Sequence, residues 1–293
     1  MFTNEIMYAN SNMIPNLDDI FTGDQNEVLC EVNITEDIVF SRLRKLKVSK
    51  APGIDGLVPK FLVETAGNIG KPLNMIFNAS LNQGVVPMDW RRANVSAIYK
   101  KGPRDKPENY RPVSLTCQVC KLLESVLRDS IVEHLQLFSL IKDTQHGFVK
   151  KRSCLSNLLK FLNFTCNQVD SGEAVDVIYL DFQKALDKVP HKRLIRKVQA
   201  DGVGGKILRW ITNWLTDREQ RVMIKQYSSQ WSNVLSGVPQ GPVLDPLLFV
   251  IYINDIDNSV ISKLSKFADD TKVFNVVSRP DQVEVLKTDL RNL

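Results

Sequence analysis

Apolar positions follow two patterns along the chain, and the alternation between them predicts its elements. Stripes spaced three and four residues apart mark helices. Ile38, Val39, Leu43 and Leu46 form one, behind Thr35 as a capping residue and with Glu36 and Asp37 in the first turn. Leu73, Ile76, Phe77 and Leu81 form a second, stopped by Gly84 and Pro87. Leu123, Val126, Leu127, Ile131 and Leu135 put a third over 122–137, and Ser153 opens a fourth with Leu155, Leu158, Leu159, Leu162 and Phe164. Residues 190–216 read as two helices broken at 202–205. The segment 243–256 is apolar nearly all round, so it reads as a buried helix, and a last helix covers 281–290.

Short dense runs mark strands. Runs at 95–99 and 110–115 flank a charged turn with Gly102, Pro103 and Pro107, which predicts a hairpin with a basic tip. A further hairpin is expected from 220–224 and 232–235, turning near 227–229. The run 174–181 is almost continuously apolar, as a buried strand would be, and ends in Asp181; 182–188 then reads as helical. Near the end, Asp269 and Asp270 sit between two apolar runs, the pattern of a tight hairpin with acids at its tip.

Composition adds bounds. The 293 residues are 43% hydrophobic, with 13 Phe and 4 Trp, enough for one large domain or two moderate ones. The strand and helix runs together give an α+β class. The expected divisions are a polar tail over 1–34, a first region over 35–173 and a second over 174–293. No apolar run reaches the ~18 residues a membrane helix needs. The first residues do not form a secretory signal, and Cys30, Cys117, Cys120, Cys154 and Cys166 are odd in number and irregularly spaced. Reduced thiols and an intracellular location, nucleus or cytoplasm, are the expectation. The lone pair Cys117 and Cys120 does not make a zinc motif. A net charge of +5 is compatible with a polyanionic partner without requiring one.

Candidate chemistry begins with the acids. Taken alone, Asp269 and Asp270 are either a solvated turn or half of a metal site, and Asp181 either caps a helix or ligates a metal. If the two strands lie side by side, the three carboxylates form one cluster, and they cannot all stay ionised at close range without a cation. Mg2+ suits such oxygen donors. Two ions would serve an attacking hydroxyl and a leaving pyrophosphate, with Mn2+ as the substitute. The loop 50–56, with Lys50, Gly53 and Gly56, is either a phosphate contact or a connector. His134, His146 and His191 are scattered, and Asp187 reads as serving helix structure.

Six short stretches now stand in order: Lys50-Ala51-Pro52-Gly53-Ile54-Asp55-Gly56, Asn109-Tyr110-Arg111-Pro112-Val113-Ser114-Leu115, Gln145-His146-Gly147-Phe148, Tyr179-Leu180-Asp181-Phe182, Ser236-Gly237-Val238-Pro239-Gln240-Gly241 and Phe267-Ala268-Asp269-Asp270. In order and spacing the chain resembles the reverse transcriptase domain of non-LTR (LINE-type) retrotransposons, of the chicken-repeat and jockey-like branch. The resemblance runs from about residue 35 to the end. It implies a right-hand polymerase with fingers first and a partial ferredoxin-like palm, its thumb absent. It implies an RNA-directed DNA polymerase using an RNA template, a DNA primer and dNTPs.

Residue by residue, the resemblance makes Asp181 the first catalytic acid and Asp269 and Asp270 the acidic pair, with Asp269 the stronger metal ligand. Lys100 or Lys101, with Arg111, falls where the triphosphate is contacted. Gln240 and Gly241 fall against the nucleotide and template, Phe182 beside the nucleotide, and Leu186 where the sugar 2′ position is screened. Departures are Leu186 in place of an aromatic, Pro242 in place of Ser, Asp245 in place of Gly, and Val149-Lys150-Lys151 in place of Arg-Lys-Gly. Asp245 is expected to bring a negative charge near the template path. The second expectation is a degenerate, truncated element copy that binds nucleic acid without polymerising. A third, an RNA-templated RNA polymerase, is supported only by Leu186.

Overall fold

Two β-sheets divide the work of the chain, and the sequence order of their strands interleaves. The computed structural model describes residues 23–293. Strands β1 (Arg92–Tyr99) and β2 (Tyr110–Leu115) form the expected hairpin. Strand β3 (Val175–Leu180) belongs to the other sheet, while β4 (Arg218–Ile224), β5 (Tyr227–Ser228) and β6 (Ser232–Val234) return to the first. The first sheet runs in the order β2-β1-β4-β5, with β6 also pairing β4, and β1 and β4 are parallel. The second runs β3-β8-β7, all antiparallel, from β7 (Lys263–Phe267) and β8 (Asp270–Val276).

Local chemistry sets the helices where the pattern put them. The Thr35 hydroxyl accepts the Ile38 N–H at 3.3 Å and opens α1 (Glu36–Arg44). α2 (Pro59–Glu64) leads into α3 (Ala66–Gln83), which ends on Gly84 at φ 67°, a left-handed cap that glycine adopts without strain. The short α4 (Met88–Arg91) precedes β1. α5 (Gln118–Leu137) follows β2, and Ser153 caps α6 (Cys154–Asp170) by accepting the Ser156 N–H at 3.1 Å. The predicted pair over 190–216 is α7 (His191–Ala200) and α8 (Gly205–Leu215). α9 (Asp245–Ile253) is buried, as its apolar circumference requires, and α10 (Pro280–Asn292) closes the chain.

One large core joins α1, α3, α5, α7, α8 and α9 around Phe77, Leu123, Leu127, Trp210 and Trp214. The second sheet has its own arrangement. Phe274 meets Phe161 and Phe164 of α6, with ring centroids 5.1 and 5.3 Å away. The neighbouring Val273 clusters with Leu264 and with Leu286 of α10. Adjacent strand residues point to opposite faces, so α6 and α10 cover the two sides of this sheet.

Several expectations are corrected. Residues 182–188 form only a short 3-10 turn at Leu186–Lys188, since Pro190 has no N–H to carry a helix on; the Leu186 carbonyl accepts the Val238 N–H at 2.8 Å instead. The helix expected over 243–256 starts at Asp245 and tightens to 3-10 from Asn254. The Asn254 amide there accepts the Lys142 N–H and donates to the Leu140 carbonyl. Contacts run across residue 174: β4 pairs with β1 and carries β6 into the same sheet, and α6 packs on β3 and β7. Of the tail expected over 1–34, residues 1–22 lie outside the described residues; Leu29 and Cys30 bond to the α7–α8 turn through Gly202, Gly204 and Lys206. Asp245 is buried, so its side chain is not presented at the surface.

Candidate active site

The site begins with register. β3 and β8 pair antiparallel with Leu180 opposite Thr271, so one step further the backbone sets Asp181 opposite Asp270. Asp270 pairs with Phe267 across the β7–β8 turn, which leaves Ala268 and Asp269 as its two central residues. Asp181 and Asp270 are exposed and Asp269 is half-buried. Their carboxylates make no hydrogen bond or ion pair among the described residues. Among the described residues, too, no group of three or more His, Cys, Asp or Glu is arranged to hold a metal ion. The backbone thus brings the three acids to one sheet end, while their side chains stand apart with all their lone pairs unspent.

The turn itself is held from outside. Ala268 has φ 58°, a left-handed conformation that costs a residue with a Cβ about 1 kcal/mol. The Gln145 side chain offsets it by bonding both sides of the residue: its oxygen accepts the Ala268 N–H at 3.0 Å, and its amide donates to the Ala268 carbonyl at 3.4 Å. Gly147 lies so close to the Ala268 backbone that no side chain fits there. Lys266 donates its N–H to Thr144 at 2.8 Å, and its carbonyl accepts from His146 at 2.8 Å and from the Asn157 amide at 3.0 Å. Its buried ammonium pairs with Asp257. Burial pushes the Lys266 ammonium pKa down and the Asp257 carboxylate pulls it back.

A second loop approaches from the other sequence stretch. The Gln240 carbonyl accepts the Ser114 N–H of β2 at 2.7 Å, and its amide reaches Asp187 at 3.4 Å. Gly241, at φ 146°, sits against the Ser114 carbonyl with no room for a Cβ. The Asp187 carbonyl accepts from Ser236, and burial pushes its carboxyl pKa up, with Gln240 pulling against it. Phe182 and Leu186 are half-buried and pack on the large core. The loop 50–56 docks at the start of α5, where Gln118 donates to the Ala51 carbonyl at 2.6 Å and the Cys117 thiol to Asp55 at 2.8 Å. Burial first, and then Asp55, push that thiol up to about 12. Lys100, Lys101 and Arg111 are exposed at the β1–β2 hairpin, apart from the acids in the other sheet.

Residue reading missed Gln145, Ser114 and Glu124 as supports, and gave Asp187 to helix structure. The signal for Gln145 was present, since its stretch was among the six matches. Ser114 likewise lies in a matched stretch, while nothing local marks Glu124; both roles arise from contacts more than 100 residues away in sequence.

Comparison with known proteins adds to this geometry. A family profile described as "Reverse transcriptase (RNA-dependent DNA polymerase)" matches residues 98–291. The chain is 29% identical over 222 residues to the probable RNA-directed DNA polymerase from transposon BS of Drosophila melanogaster, covering 75% of this chain and 24% of that protein. It is 27% identical over 250 residues to the RNA-directed DNA polymerase from mobile element jockey of Drosophila melanogaster, covering 82% and 27%. It is also 26% identical over 207 residues to a retrovirus-related Pol polyprotein from type-1 retrotransposable element R2 of Popillia japonica, covering 70% and 28%. The chain spans about a quarter of the length of these relatives. Among the described residues no helix is long and apolar enough to cross a membrane.

Proposed function

Because the chain belongs to the reverse transcriptase (RNA-dependent DNA polymerase) family, in its LINE-type branch, we propose that it forms the nucleotidyl-transferring core of an RNA-directed DNA polymerase. Its reaction joins the primer 3′-hydroxyl to the α-phosphate of a dNTP on an RNA template and releases pyrophosphate. The observation that carries this reading is the β3–β8 register, which brings Asp181, Asp269 and Asp270 to one sheet end with no partner on any carboxylate among the described residues.

By chemistry that donor set suits a hard divalent cation, two exposed carboxylates and one half-buried, all acceptor capacity free, although the three side chains are not gathered around one point. Asp181, Asp269 and Asp270 would hold Mg2+, two ions, with Mn2+ as the substitute. When bound, the metal would favour the ionised primer hydroxyl and neutralise charge on the phosphates. Lys100, Lys101 and Arg111 would grip the triphosphate, since ammonium and guanidinium groups suit phosphate oxygens. Gln240 and Gly241, pinned on Ser114, would form the floor under the base pair, and Phe182 and Leu186 the wall beside the sugar. In this reading the first sheet and its hairpin are fingers, and the second sheet is part of a ferredoxin-like palm.

The test is primer extension on an RNA template, comparing the chain with Asp269→Asn. Loss of extension with an unchanged melting curve is expected; undiminished extension in the variant removes the assigned role. That the three side chains are not gathered into a metal site among the described residues favours a second reading, a copy that binds nucleic acid without polymerising. Binding that falls steeply with salt, with no extension in any metal, would support it.

A further inference from the structure

Against the segment that follows Gln240 and Gly241 lies a cluster that phosphoryl transfer does not use. α5, β4 and α9 each send one charged side chain into the interior: Glu124, Arg218 and Asp245, exposed by 0, 2 and 1%. The Glu124 carboxylate accepts the Val243 backbone N–H at 2.6 Å and the Cys120 thiol at 3.2 Å. Arg218 donates to the Trp214 carbonyl at 3.2 Å, and its guanidinium lies 4.5 Å from the centre of the Trp214 ring. Asp245 is different. Both its carboxyl oxygens are buried, and neither has a hydrogen-bond partner among the described residues.

Charge balance makes that orphan informative. Two buried acids face one fully buried base, and Arg218 forms no direct ion pair with either among the described residues. An ionised carboxylate left unpaired in an interior costs several kcal/mol, and taking up a proton removes most of that cost. The groups facing Asp245 are Glu124 and Lys121 from α5, the Gly241 backbone from the loop and Arg218 from β4, with Cys120 of α5 and Arg91 of α4 beside Arg218. Burial first, and the Glu124 charge second, push the Asp245 carboxyl well above the ordinary range, against the weaker pull of Arg218, Gly241 and Lys121.

The same few residues fix the loop. Gln240 is bonded to Ser114, Gly241 is pressed on Ser114, and Val243 is bonded to Glu124, two positions before Asp245. We propose that Glu124 and Asp245 are positioning residues for the loop that presents Gln240 and Gly241, Glu124 seating Val243 and Asp245 filling the interior beside it as an uncharged acid. This rests on the nucleotide-facing role given to Gln240 and Gly241. When Asp245 loses its proton, a second negative charge beside Glu124 drives the two apart and frees Val243, so the loop loosens as pH rises. The substitution of Asp for the Gly of the resembling pattern thereby makes loop order depend on a proton.

Amide hydrogen exchange over 236–243 tests this without requiring catalysis, by comparing the native chain with Asp245→Asn at matched pH. At ~pH 6 the two should exchange alike; at ~pH 9 the native chain should exchange roughly threefold to tenfold faster while Asp245→Asn stays protected. Glu124→Gln keeps an acceptor for Val243 without a charge, so it too should lose the pH effect. It carries the test if Asp245→Asn does not fold. Equal exchange of native chain and variants at both pH values overturns the proposal. In extension assays over the same interval, the native dNTP KM should rise while that of Asp245→Asn stays level, with kcat changing in parallel in both. Absence of extension from the native chain counts against the polymerase reading alone; the exchange comparison still decides this one.

Discussion

The two hairpins that carry charged candidate residues are built on opposite principles. The β1–β2 hairpin looks after itself. Lys100 bonds Asn109 at 2.8 Å, Tyr99 reaches Gly102, Asn109 reaches Pro103, Tyr110 reaches Arg104, and the two tyrosine rings meet edge-on. Residues 100–108 are all exposed. The β7–β8 hairpin has a turn of only two residues and depends on groups outside it: Gln145, Gly147 and Asn157, more than 100 residues away, on its backbone, and the nearer Asp257 on its buried lysine. A self-contained, exposed hairpin can move as a unit on nanosecond to microsecond timescales without disturbing the core. A hairpin clamped at Lys266 and Ala268 holds its turn in a fixed frame. Under the proposed function, the difference would suit a flexible grip on a mobile triphosphate and a rigid seat for reacting atoms.

Substitutions sharpen this contrast in order of size. Asp269→Asn should cost roughly 10³-fold in extension, about 4 kcal/mol of transition-state stabilisation, with no change in melting temperature. Asp257→Asn leaves the Lys266 ammonium buried without its partner and should lower stability by about 3 kcal/mol in denaturant titration. A loss below about 1 kcal/mol would mean the clamp is weaker than drawn. Gln145→Ala exposes no charge but strips both bonds from Ala268; about 2 kcal/mol and roughly tenfold slower extension are expected. Smallest in stability are Lys101→Ala and Arg111→Ala, which should raise the dNTP KM roughly tenfold and move unfolding by under about 0.5 kcal/mol. Destabilisation by either, or intact stability in Gln145→Ala, would erase the distinction between the hairpins.

Local signals made much of this readable. Thr35, Ser153 and Gly84 mark helix ends because their caps are satisfied within a few residues. Asp269 and Asp270 mark a turn because β-forming runs flank them, and the apolar run before Asp181 fixes a strand. What stayed hidden depends on distant partners. The parallel register of Asn94 with Arg221 leaves no trace in either segment. The turn at 182–188 is tied down by the Val238 N–H on the Leu186 carbonyl, a partner no local propensity reports. Asp245 reads as a surface charge by type, and only the packing of α5, β4 and α9 around it reverses that.

The parallel pairing of β1 with β4 also dictates an order of assembly. Asn94 and Arg221 lie 127 residues apart, so the first sheet cannot close until nearly the whole second stretch, β3 included, has been made. Loop closure over that distance is slow, and strand edges left waiting are prone to mispair. During synthesis the β1–β2 hairpin emerges first and can form from local contacts, but its inner edge stays open until β4 arrives. A nascent chain halted between residues 116 and 217 would therefore display that edge, and it is at this stage that a chaperone has most to protect.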